Sequence, residues 1–387
     1  MESSSDSGVA TTTRCFPGSS AITVHQVLPP TPASAPPAQT RRPPGRHRSV
    51  PPLSGRSPVR IGRMRESEES SMTTALPGHV VETVPVTRLG NGHSLELTVH
   101  RITGSAPGPT LVLFGGIHGD EAMGVEGVRR ILGSLDPETM SGTVIGVPVC
   151  NPYSYDAMTR HTPNDGLNLN RIFPGLRAGS VTEQLAAVLS EIILQGDYFI
   201  DYHSSGLYST VDYAYMLTDS RELSLAFGTK LLYAHDPFPG SSSEWAMRHG
   251  IPSFTSELGG GGQFTDEYLD KAVAGTRNVM RSIGILPGEV EELSTDRWVM
   301  DELVTLRPTA GGAMLSSYGP DQLGTVVPGG TELAKVVDPY TFETLETLVA
   351  PFESNFLVLA REGYTRCSPG DYGFMVGNAG TAKPVGG

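Results

Sequence analysis

Cysteine is scarce in this sequence. Only Cys15, Cys150 and Cys367 occur in 387 residues, too few and too widely spread for a disulfide framework or a zinc-finger spacing. That points to a reducing interior, and a cytoplasmic location is expected. Long apolar runs are missing as well. No stretch approaches the roughly 18 to 20 residues that a membrane helix needs, so no membrane partner is expected. Positive charge is also in deficit, with 28 Lys and Arg against 41 Asp and Glu and a net charge of -13. The deficit is uneven: residues 1–71 are net positive, and everything after them is strongly acidic. A body of that charge repels phosphate backbones, which excludes nucleic acid as its partner.

What is present describes a loop-rich globular protein, 38% hydrophobic with 46 Gly and 31 Pro. The length leaves room for two domains with their own cores. Residues 1–71 hold eleven of the prolines among many Ser, Thr and Arg. Such a segment buries too little apolar surface to offset the entropy of ordering it, and it is expected to be disordered. A transit peptide fits poorly, because Glu2 and Asp6 come early and the prolines break any amphipathic helix. A basic arm for anionic partners and a start of translation at Met72 are competing readings. A dispensable extension is preferred.

From about Val80 the pattern becomes regular. His79 to Val86 and Ser94 to Ile102 alternate apolar and polar residues about Asn91-Gly92, as a β-hairpin would. Buried strands are then expected at 110–116, Thr143 to Cys150, Tyr198 to Tyr202, 213–218 and 252–257. Helices are expected through Val125, Val128, Ile131 and Leu132, over 181–195, over 221–233 and over 265–284. Strands alternating with helices predict an α/β fold, a mostly parallel mixed sheet flanked by helices. The acidic Leu286 to Asp296 stretch, with its Pro-Gly break, marks a domain boundary. The expected division is an extension at 1–71, a catalytic α/β domain at 72–290, a small C-terminal all-β domain at 291–380 and a frayed tail at 381–387.

Chemistry concentrates at strand ends. Leu111 to Glu121 reads Leu-Val-Leu-Phe-Gly-Gly-Ile-His-Gly-Asp-Glu, a buried strand whose two glycines turn the chain and deliver His118 and Glu121. The carboxyl edge of a parallel sheet is where open α/β proteins place their sites. A second histidine, His203, ends the strand Tyr198 to Tyr202. Two imidazoles and a carboxylate leave a fourth position open, the pattern of catalytic zinc. Asp201 is placed to orient a ligand imidazole, and Asp120 reads as a first-turn acid. Glu257, at the end of strand 252–257 before four glycines, is the candidate general base. The loop 151–175 brings Arg160, Asn170 and Arg171, a donor for an oxyanion and a fork for a carboxylate. Taken singly, each has a plainer reading as a turn cap, a strand-end histidine or a surface ion pair.

Together the motifs His118-Gly-Asp-Glu121, Arg160 with Pro-Asn-Asp-Gly-Leu-Asn-Leu-Asn170-Arg171-Ile-Phe-Pro-Gly, Asp201-Tyr-His203-Ser and Thr255-Ser-Glu257 resemble the succinylglutamate desuccinylase/aspartoacylase family, which belongs with the zinc carboxypeptidases. The resemblance spans about residues 80–376. Its form is similar to the N-acetyl-diaminobutyrate deacetylase branch. It implies Zn²⁺ held by His118, Glu121 and His203, with Glu257 as base. It also implies Asn170 and Arg171 on a substrate carboxylate and Arg160 on the oxyanion, although a loop longer than that of the aspartoacylases shifts Arg160. The tyrosine that the family supplies from its C-terminal region has no match that the sequence identifies. The C-terminal segment resembles a biotinyl/lipoyl-type barrel without an acceptor lysine, and is expected to shield the site. The expected activity is zinc-dependent hydrolysis of a small N-acylated amino acid. A peptide-trimming carboxypeptidase and a catalytically silent zinc-fold binding protein are the alternatives, and assembly of identical chains is left open.

Overall fold

The computed structural model describes residues 77–260 and 265–386. The expectations for residues 1–71 and for Gly261 and Gly262 lie outside the described residues. The hairpin forms β1 (Gly78–Arg88) and β2 (Ser94–Thr103), antiparallel, with Gly92 at φ +87° in the turn. Then follow β3 (Ala106–Phe114), α1 (Ala122–Gly133), β4 (Ser141–Val147), α2 (Pro152–Ala157) and α3 (Val181–Ile193). After these come β5 (Tyr198–His203), β6 (Ser209–Met216), α4 (Arg221–Phe227), β7 (Leu231–Ala234), α5 (Ser242–Arg248), β8 (Ser253–Gly260) and α6 (Asp266–Ser282).

The sheet runs β1-β2-β4-β3-β5-β8-β6 and continues through Ser354–Arg361, Phe374–Asn378 and Leu303–Leu306. At its centre β4, β3, β5 and β8 are parallel, and β6 lies antiparallel to β8. Side chains alternate across such a sheet. Leu111 and Leu113 therefore pack with α1, α4 and α6 on one face. Val112 and Phe114 pack with α3 and α5 on the other. With both faces covered, β3 reads as a continuous apolar run, as a central parallel strand must.

Two local expectations are corrected. The helix expected over 221–233 ends at Phe227, because Gly228 takes a left-handed φ of +87° and Leu231–Ala234 pairs with β6 as a strand. The tail expected to fray at 381–387 is tied down as far as Lys383–Pro384, which pairs with Trp298–Val299. Residues 286–296 lie outside helices and strands, and the chain beyond them is β-rich. Besides its six strands in the large sheet, it forms a four-stranded sheet of Thr344–Val349, Glu332–Val337, Gly312–Ser316 and Tyr364–Cys367. Cys150 and Cys367 are free and buried. Among the described residues, no helix is long and apolar enough to cross a membrane.

Candidate active site

Three strand ends meet at the site. After β3 the chain turns through Gly115 and Gly116, the latter at φ +61°. A Cβ on Gly115 would lie 2.6 Å from the Gly124 carbonyl oxygen, and one on Gly119 would lie 1.8 Å from that of Ser154. Only glycine lets this loop pass, and the loop sets His118 and Glu121 at the start of α1. His203 ends β5. The ligand atoms of His118, Glu121 and His203 all lie within 4.8 Å of one another, and all three residues are buried.

Hydrogen bonds fix how the rings face. His118 Nδ1 sits 2.8 Å from Glu121 Oε1, and His203 Nδ1 sits 2.7 Å from Glu121 Oε2. On the far side, His118 Nε2 donates to Asn168 Oδ1 at 3.0 Å and His203 Nε2 donates to Asp201 Oδ2 at 2.9 Å. Both imidazoles thus aim Nδ1 at a common point and have their other nitrogen tethered, the arrangement that metal-binding histidines require. Ser242 of α5 donates in turn to Asp201. Burial drives His118 down to about 4, so it is neutral with a lone pair to give. Burial also opposes charge on His203, but Asp201 and Glu121 outweigh it and hold that ring well above its ordinary value. Glu121, though buried, is kept far below the usual carboxylate range by the two histidines.

The sequence-selected residues converge here. In register across three strands, His203 pairs with Glu257 and Glu257 with Tyr213. Burial, with the Glu121 charge adding to it and His203 opposing, pushes Glu257 up to about 8. Arg160 donates from Nη1 to Glu121 Oε1 at 2.7 Å. Burial disfavours its charge, but Glu121 more than compensates. Asn170 lies 3.1 Å from His203 Nε2, and its Oδ1 accepts from the Ser242 amide at 2.9 Å. Arg171 donates to the Asn170 carbonyl at 2.6 Å and lies over the Phe238 ring at 4.8 Å. Burial and the neighbouring Arg160 charge lower its pKa, and no ion pair reaches it among the described residues.

Two adjoining hollows share Arg160, Tyr215, Phe238 and Glu257. The smaller, about 50 Å³, contains His118, His203, Asn170 and Arg171 in its wall. The larger, about 530 Å³, is bounded by Asp120, Glu121 and a set of aromatic rings, and on its far side by Arg361, Arg366 and Tyr372 of the C-terminal segment. Sequence reasoning missed Asn168, Ser242, Arg361 and Tyr372. Asn168 had a faint signal as one of two asparagines beside Arg171; the others had none. Tyr340 and Tyr364 are 89% and 72% exposed, whereas Tyr372 reaches the cavity.

Residues 107–283 match the family model described as succinylglutamate desuccinylase/aspartoacylase catalytic domain. A curated relative, the N-alpha-acetyl-L-2,4-diaminobutyric acid deacetylase of Halomonas elongata, is 34% identical over 200 residues, which is 48% of this chain. The match spans 57% of that relative, little more than half its length. Among solved structures, the product-bound ectoine utilization protein EutE (DoeB) of Ruegeria pomeroyi superposes with a TM-score of 0.68 at 25% identity, covering 78% of this chain and 95% of that one. A succinylglutamate desuccinylase from a Silicibacter species gives 0.69 at 25% identity, covering 80% and 97%. The succinylglutamate desuccinylase/aspartoacylase of Rhodobacter sphaeroides gives 0.70 at 23% identity, covering 80% and 97%, a likeness of fold.

Proposed function

We propose that the chain is a zinc-dependent deacylase, on the footing that residues 107–283 match the succinylglutamate desuccinylase/aspartoacylase catalytic-domain model. Its substrate would be a small N-acylated amino acid, with an N-acetylated diamino acid of the kind named for the Halomonas relative as the leading candidate. The observation that carries the proposal is the buried His118, Glu121 and His203 set, with Glu257 one strand away in register.

The donor set suits the ion. Two imidazole nitrogens and a carboxylate oxygen are zinc donors that leave a position open. The tethered Nε2 atoms leave both Nδ1 lone pairs facing inward. A guanidinium nitrogen of Arg160 stands against the same oxygen and nitrogen, 2.7 Å from Glu121 Oε1 and 3.2 Å from His118 Nδ1. The site therefore already attracts positive charge. Zinc there would supply Lewis acidity, lowering the pKa of water and polarising an amide carbonyl.

The chain's own residues do the rest. Glu257 takes the proton of the attacking water and passes it to the leaving nitrogen. Arg160 donates to the oxygen on which charge develops. Arg171 and Asn170, in the smaller hollow, hold the substrate carboxylate, and among the described residues no ion pair competes with it for the Arg171 guanidinium. The far wall closes the larger hollow to a volume of about 530 Å³, within the range of small-molecule sites, which favours small substrates over extended peptides.

The test is hydrolysis by zinc-replete protein of N-acetyl-L-2,4-diaminobutyrate, N-acetylaspartate, N-succinylglutamate and an unblocked tetrapeptide. Turnover of acyl amino acids with the tetrapeptide untouched is expected. Cleavage of the peptide alone would make the protein a carboxypeptidase, and one zinc per chain with no hydrolysis at all would make it a binding protein.

A further inference from the structure

Four acids line the larger hollow: Asp120, Glu121, Glu257 and Asp371. Three are engaged. Glu121 is held by both histidines and Arg160, Glu257 is the base, and Asp371 accepts from the Ser368 amide at 2.8 Å and lies 3.7 Å from Arg361. Asp120 differs. Its side chain is only partly buried, with Oδ1 sealed off and lacking a hydrogen-bond partner, and among the described residues no ion pair reaches its carboxylate. A partly desolvated carboxylate without an ion pair favours a cationic ligand, and Oδ2, the oxygen that is not sealed off, is the one that can meet it from the hollow.

The surroundings leave room for one. A Cβ on Gly206 would come 2.9 Å from Asp120 Oδ2, so glycine keeps space beside this carboxylate that a side chain would take. The hollow is also walled by Tyr213, Tyr215, Tyr233 and Phe238, whose ring centroids lie 5.3 Å (213 to 215), 5.7 Å (215 to 233) and 6.2 Å (215 to 238) apart. Such faces attract a desolvated ammonium. Of the arginines of the same hollow, Arg160 is held by Glu121, Arg361 by Thr365 Oγ1 and the carbonyls of Tyr372 and Arg366, and Arg366 donates to the Tyr208 hydroxyl at 3.4 Å.

We propose that Asp120 is a specificity-determining residue that receives the primary ammonium of the substrate's short side chain in the larger hollow, while Arg171 holds its carboxylate in the smaller one. This rests on the deacylase reading above, and it sets the substrate class as N-acylated diamino acids rather than acyl amino acids at large. Asp120 takes no part in the bond change.

The experiment compares N-acetyl-L-2,4-diaminobutyrate with N-acetyl-L-norvaline, in which a methyl group replaces the ammonium. Wild-type protein and Asp120→Asn are assayed with zinc. A charge-assisted hydrogen bond implies a wild-type preference of about thirtyfold in kcat/KM for the diamino acid. Asp120→Asn should reduce that preference to within about threefold, and calorimetry should show weaker binding of free L-2,4-diaminobutyrate than in the wild type, with norvaline binding unchanged. A preference that survives in the variant, or an equal loss on both substrates, would overturn the assignment. Wild-type protein that hydrolyses neither substrate nor any other acyl amino acid would instead overturn the deacylase reading.

Discussion

The two walls of the candidate cavity are built on different physics. The near wall consists of strand ends. His118, Glu121, Asp201 and His203 are each less than a twentieth exposed and are joined through Asn168 and Ser242 into one hydrogen-bonded network. The far wall is made of C-terminal segments carrying Arg366 and Tyr372, the latter 37% exposed. It is organised by a single buried guanidinium, that of Arg361. A buried network defines one geometry because each misplaced member strands a polar group. An exposed wall held by one cation can change its side chains without disturbing the metal donors. Under the proposed function, the difference gives chemistry to the near wall and substrate fit to the far one.

The largest effect should come from the near wall. Glu257→Gln removes a proton acceptor and leaves all three candidate ligands in place. Turnover is expected to fall about 10²–10⁴-fold while zinc content stays at one per chain, as measured by atomic absorption beside steady-state kinetics. An unchanged kcat would take Glu257 out of the mechanism, and lost zinc would make it part of the metal site.

Next in size is Asp201→Asn. It keeps an acceptor for His203 Nε2 but removes the charge that orients and polarises the ring. Zinc affinity should weaken about tenfold, the low end for loss of such a partner, as read by competition with a chelator. No change would mean that a neutral acceptor at this position holds the ring as well as the charge does. Far-wall substitution should behave otherwise. Arg361→Met strands the carbonyls of Tyr372 and Arg366 that the guanidinium now satisfies. Stability should drop by about 2–3 kcal/mol in chemical denaturation, and KM should rise while kcat and zinc content hold. A fall in kcat with KM unchanged would erase the distinction between the walls.

The same contrast separates what was legible in the sequence from what was not. The near wall is local. An apolar run ending in Gly115-Gly116 announces both a buried strand and a sharp turn, and His118 follows at once. His203 and Glu257 repeat the pattern at the ends of β5 and β8. The α/β layering was legible for the same reason, since period and punctuation lie within each element. The far wall is not local. Arg366 meets Tyr208 across 158 residues, and Arg361 reaches Tyr372 through a backbone carbonyl that no residue pattern signals. Helix α5, only seven residues long, is too short to show an apolar stripe, so Ser242 went unnoticed behind Asp201. Helix α4 was read too long because Gly228, inside an apolar stretch, looks like a tolerated glycine until its φ of +87° is seen.

The smallest effect, and the one that isolates the near wall's electrostatics, is a pH slope in metal-free protein. Burial pushes Glu257 up to about 8 in the folded chain, while in the unfolded chain it titrates near the usual 4.5. Between those values the folded state holds a proton that the unfolded state has released. Stability therefore falls as pH rises through this window. His203, whose folded value is also raised, contributes a fall of the same sign, so the wild-type slope alone cannot be credited to Glu257. Glu257→Gln removes one contribution and leaves the other. In chelator-treated protein, Tm should decline less between pH 5 and pH 8 for the variant than for the wild type, with the two melting closest together at pH 5. Parallel declines would mean that Glu257 is already ionised without metal, and the near wall would then hold its base charged before zinc arrives.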